Sequence, residues 1–93
     1  MASLRGIKKD IEYITDEIIE DCFLSLEFRP EQGDRILEIM NEAVNARNEL
    51  IEMANHPADK HNPSLVRKHY GFVRRTMFER ADSLFSRLSE LNK

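Results

Sequence analysis

Twenty residues from Arg35 to Ala54, RILEIMNEAVNARNELIEMA, run without glycine or proline and keep a helical period throughout. Ile36, Leu37, Ile39, Met40, Ala43, Val44, Ala46, Leu50, Ile51, Met53 and Ala54 are apolar. At about 100° per residue they cover roughly half of a helix surface. Glu38, Glu42, Asn45, Glu49 and Glu52 fill the other half. A single coiled-coil seam needs a narrower stripe, so this helix is expected to touch two neighbours at once.

The sequence offers one neighbour on each side. Ser3 is a suitable N-cap, and Leu4, Ile7, Ile11, Ile14 and Ile18 then recur at 3-4 spacing. Beyond Ile18 that seam slips by one residue: Asp21 and Ser25 fall in the next core slots, while Cys22 and Leu26 are the apolar alternatives. Such a slip is a local stutter in packing. On the far side, Asn62 as N-cap and Pro63 as first helical residue open a third pattern. Val66, Tyr70, Val73, Met77, Ala81, Leu84, Leu88 and Leu91 carry it onward. The breaks are Phe28–Gly33 (FRPEQG) and Asn55–Pro63 (NHPADKHNP), where proline disfavours helical backbone at the residue before it. Pro30 and Asp34 are equally good starts for the central helix. The expected fold is all-α, one domain over residues 1–93, with helices at about 4–27, 34–54 and 63–91. Short connections make it an antiparallel up-down-up three-helix bundle. Period-two alternation is nowhere sustained, so strands are not expected.

Charge is uneven along the chain. Residues 1–58 hold 13 acids and 6 bases, residues 59–93 hold 4 acids and 8 bases, and the net is −3. Within a bundle, the simplest consequence is a basic third helix lying against two acidic ones. The alternative is a nucleic-acid or ribosome-associated protein using Arg67, Lys68, Arg74, Arg75, Arg80 and Arg87. Helical spacing, however, scatters these six around the cylinder, whereas a DNA-reading helix gathers its contacts on one face. One cysteine forbids an internal disulfide, no run approaches the ~20 apolar residues of a membrane span, and no signal-peptide pattern opens the chain. A cytoplasmic protein is expected.

Catalytic chemistry finds little footing. The serines lack a nucleophile-elbow context and no glycine-rich loop cradles a phosphate. Cys22 follows Glu20 and Asp21, acids that raise a thiol pKa and blunt its reactivity. His56, Asp59 and His61 have the ligand types of a divalent-metal site, with His69 further on, but their spacing fits no familiar one. A small metal-dependent enzyme at this loop is therefore the weakest option. A solvated turn is expected, with no metal, cofactor or small-molecule substrate. Arg47 falls in line with Ile36, Met40, Ala43, Leu50 and Ala54, where a guanidinium needs a carboxylate partner. Glu12 and Asp21 are the candidates for a structural ion pair.

The clearest functional hint is aromatic. Phe78 and Phe85 lie seven residues apart on one flank of the third helix, Leu65 and Phe72 lie on the opposite flank, and Phe23, Leu24 and Phe28 crowd the end of the first helix. So small a bundle cannot bury them all. Phe72, Phe78 and Phe85, then Phe23 and Phe28, are the residues expected to meet a protein partner or a second copy.

Three stretches are also familiar: Ile7-Lys8-Lys9-Asp10-Ile11-Glu12-Tyr13, Asn41-Glu42-Ala43-Val44-Asn45 with His56-Pro57 beyond it, and Lys68-His69-Tyr70. Together they resemble a family of short all-helical proteins of anaerobic bacteria. The resemblance implies a small helical domain over nearly the whole chain and transfers no functional residues, since that family has no established activity.

Overall fold

The computed structural model describes residues 3–93. Its helices are α1 (Leu4–Phe28), α2 (Gly33–Asn55) and α3 (Pro63–Leu91), and a 3-10 turn, Pro30–Gln32, leads directly into α2. No strand occurs among the described residues.

Local chemistry sets each end. The Ser3 hydroxyl accepts from the Gly6 amide at 3.0 Å, satisfying one of the free donors that open α1. The Asn62 side chain does the same for α3, accepting from Ser64 and Leu65 at 3.1 and 3.2 Å. Both breaks are made by the residue before a proline. Arg29, at φ −135° and ψ 61°, and His56, at φ −126° and ψ 66°, have nearly the same non-helical backbone. Gly33 itself has helical backbone, at φ −51° and ψ −45°. Helical backbone therefore resumes at Pro30, and a single residue separates α1 from the 3-10 turn.

Cross-helix pairings fix direction and register. Arg80 pairs with Glu49 and Arg87 with Glu42, so α3 runs against α2. Arg74 Nη1 meets Asp10 Oδ2 at 2.9 Å and Asn92 Nδ2 donates to Ser25 Oγ at 2.8 Å, so α3 runs alongside α1 in the same direction. The three helices thus pass up, down and up. The core forms two clusters. One joins Ile18, Cys22, Ile36, Ile39, Leu84 and Leu88; the other joins Ile7, Ile11, Leu50, Tyr70, Val73 and Met77. Ala43 and Ala81 bring the helices close where the first cluster nears the middle of the rod.

Among the described residues, two buried positions are polar. Thr15 bonds back to the Ile11 carbonyl at 2.7 Å, and Ser25 accepts from Asn92. The slip expected after Ile18 is therefore resolved with Cys22 and Ser25 inside and Leu26 at the margin. The product is a rod of 51 × 18 × 17 Å, with a radius of gyration of 15.2 Å. A compact chain of this length has about 12 Å. Its accessible surface is 6319 Å², against about 5,600 Å² expected for a folded monomer of its mass. Slenderness leaves apolar surface outside. No described helix is long and apolar enough to cross a membrane.

Candidate functional site

Helix α3 has two flanks, and they differ. On the α2 side, Arg80 and Arg87 reach Glu49 and Glu42 across a cleft completed by Asn45, Ala46, Ser83 and Leu84. Every long basic side chain on that flank is used. On the α1 side, Arg74–Asp10 closes only one level of the seam. Below it α1 and α3 are bridged by few side chains until Asn92 meets Ser25 and accepts from Arg29.

That open seam is apolar at its floor. Residues 10, 14, 17, 21, 24 and 28 form one stripe of α1, because steps of three and four return to the same side of a helix. Residues 74, 78, 81, 85, 88 and 92 form the facing stripe of α3. The two run in register with an offset of sixty-four residues, as Asp10–Arg74 shows. Ile14, Phe78, Ala81, Asp82 and Phe85 line one depression. Asp21, Leu24, Phe28, Phe85, Leu88 and Asn92 line the next, and Phe85 belongs to both. Phe85 is half-buried and rests on the core. Phe78 is 54%, Leu24 54% and Phe28 75% exposed.

The five phenylalanines expected to make contacts are thus not one set. Phe78, Phe85 and Phe28 share the α1–α3 groove. Phe72 is six residues before Phe78, about 120° away around α3, and is exposed on the other flank. Phe23 adjoins the buried Cys22 and faces away from the groove. Leu24 was noted only as part of the crowding at the end of α1; its i, i+4 relation to Phe28 places it in the groove.

Arg47 lies at the margin facing α1 rather than at the centre of the core face. Its Nε donates to Glu12 Oε2 at 3.0 Å, its Nη2 donates to Glu12 Oε1, and Nη1 donates to Asn48 at 2.8 Å. Glu12, not Asp21, is the partner, and these bonds hold the guanidinium further above its ordinary pKa. Bidentate geometry ties the middle of α2 to α1. Cys22 is fully buried, and burial, aided by Asp21, pushes its thiol up to about 11.

Two of the three histidine rings meet a partner, and His61 bonds through its backbone amide. His56 Nε2 sits 3.0 Å from Glu52, the His61 amide donates to Asp59 at 3.1 Å, and His69 Nε2 lies 2.5 Å from the Met53 carbonyl near the end of α2. Among the described residues, no three His, Cys, Asp or Glu side chains converge as metal ligands. Six bases were expected on α3 against acidic neighbours. Arg74, Arg80 and Arg87 have such partners, while Arg67, Lys68 and Arg75 make no ion pair among the described residues. Compared with known protein families, with curated proteins and with solved structures, the chain matches none.

Proposed function

We propose that this protein works by contact rather than by chemistry, as a small cytoplasmic helical module that associates through the α1–α3 groove, with a second copy as its first partner. One observation carries the reading: Phe78, Phe85, Leu24 and Phe28 make a continuous apolar groove on a rod too thin to cover it. Water-exposed apolar surface of that continuity is stabilised by burial against a partner. The three bases without ion partners support a rival reading, in which a nucleic acid lies along α3.

Light scattering from micromolar to millimolar concentration tests the reading. The mass is expected to rise above 10.9 kDa as concentration increases, with little change on moving from low to moderate salt. A fixed monomer mass across the range overturns self-association. Binding to RNA or DNA that falls steeply with salt supports the rival, since released counterions give phosphate contacts that signature.

A further inference from the structure

The α1–α3 side of the rod is polarised in charge along its length. The second half of α1, residues 14–28, holds Asp16, Glu17, Glu20, Asp21 and Glu27 and no base. The first half of α3, residues 63–77, holds Arg67, Lys68, Arg74 and Arg75 and no acid. Because α1 and α3 point the same way, their basic halves lie at one end and their acidic halves at the other. Counting all of both helices, the ends carry +5 and −6. Two copies side by side in the same direction would repel at both ends. Turned end for end, each basic half meets an acidic half.

From this we infer that the partner in the groove is a second copy lying antiparallel, related by a two-fold axis that passes between the two α3 helices level with Phe78. The inference rests on the contact reading above and specifies its geometry. A two-fold interface is self-complementary, so residues equally far on either side of the axis face one another. Arg75, three residues before Phe78, meets Asp82 of the second copy, four residues after it. Gly71, seven before, lies level with Phe85, seven after. Both charges are exposed and make no ion pair among the described residues. Around Gly71 nothing beyond its chain neighbours and the adjoining backbone of α3 lies within 4 Å of where a Cβ would stand, so the single chain leaves that space open to an approaching ring. A 51 × 18 Å face offers on the order of 900 Å², close to the ~800 Å² per partner of a stable complex.

The test uses the full chain and three variants: Arg75→Asp, Asp82→Arg, and both together. Each single reversal places like charges opposite each other twice per dimer and weakens association about tenfold or more. The double variant restores the pairs with signs exchanged and recovers most of the lost affinity. Circular dichroism checks that each variant keeps its helices. Spin labels on Ser86→Cys, an exposed position outside the groove lining, give orientation, with Cys22 buried and unlabelled. Antiparallel copies put the two labels roughly 24 Å apart along the helix, whereas parallel copies put them side by side. A dimer whose labels are close, or whose affinity ignores both reversals, overturns the antiparallel geometry and leaves the contact reading standing. A chain that stays monomeric throughout overturns both.

Discussion

The two flanks of α3 solve opposite problems with the same residue types. Towards α2, arginines and glutamates pair over Ala46 and Leu84, and that flank is complete within one chain. Towards α1, a single ion pair caps a groove floored by phenylalanine and leucine, beyond which acids and bases stand at separate ends. Composition therefore does not distinguish the two flanks. What distinguishes them is whether each charge has found its partner and whether each ring has found cover.

The largest expected effect separates the flanks by stability. Ile39 is fully buried in the core between the helices, so Ile39→Ala should cost about 2–4 kcal/mol by urea unfolding, a transfer loss plus a cavity. Phe78→Ala, measured in dilute protein, should cost less than about 1 kcal/mol because little burial is lost. Equal losses would mean that the groove is core in all but name.

Next comes alkaline pH. In the unfolded chain Cys22 ionises near the ordinary thiol value, while in the fold it holds its proton up to about 11. Above the ordinary value the folded state binds more protons than the unfolded one, so stability falls as pH rises. That contribution is fully present below about pH 9 and is lost towards pH 11, on the order of 3 kcal/mol. A Cys22→Ala variant should lack that part of the slope. In the native wild-type protein a thiol reagent should label Cys22 only as fast as the bundle opens. Prompt labelling would show the core cluster around Cys22 to be the looser one.

Most of the fold was legible because its signals are local. Three runs with helical period, two prolines preceded by non-helical residues, and caps at Ser3 and Asn62 place every helix end within one residue of the structure. The interior was less legible. A 3-4 count of apolar residues puts Ile14 inside, but real helices turn every 3.6 residues. The drift brings in Thr15, which Ile11 can satisfy, and leaves Ile14 at the seam with α3. Leu37 and Val44 belong to the apolar half of α2 yet stand exposed, because they lie beyond the margin that α1 covers. The site was half legible. Periodicity put Phe78 with Phe85 and against Phe72, but which flank a neighbouring helix takes depends on the arrangement of three rods, which one helix does not encode.

Glycine substitutions offer a finer comparison, worth about 1 kcal/mol at most. Gly71 is mid-helix with open space around it, so Gly71→Ala should stabilise the monomer by about 1 kcal/mol through helix propensity. Beside Gly33 a new Cβ meets only Leu26 Cδ2 at 3.8 Å, and Gly33→Ala should gain somewhat less. At Gly6 the Cβ would lie 3.1 Å from the capping Ser3 hydroxyl, so there the propensity gain is offset by disturbance of the cap. Thermal melts order the three. If Gly71→Ala raises the melting temperature of dilute protein while weakening association, the glycine serves the open flank.

The smallest effects test the closed flank itself. Arg80–Glu49 and Arg87–Glu42 hold α3 against α2, yet all four side chains are more than a third exposed. Solvent screens such pairs, and double-mutant cycles with Met for Arg and Gln for Glu should give couplings of about 0.5 kcal/mol or less. Arg47–Glu12 is bidentate and somewhat less exposed, so its coupling should be the highest of the three, near 1 kcal/mol. Arg47→Met should then leave the helix content unchanged, because the new side chain can cover the same core margin. Couplings of that size say that burial of Ile39 and Leu84 makes the seam cohere, and that the ion pairs decide which bases of α3 are spoken for. A coupling above about 2 kcal/mol at Arg80 or Arg87 would reverse that order. The closed flank would then be held by charge, and the unpaired Arg67, Lys68 and Arg75 would be stability forgone in the single chain.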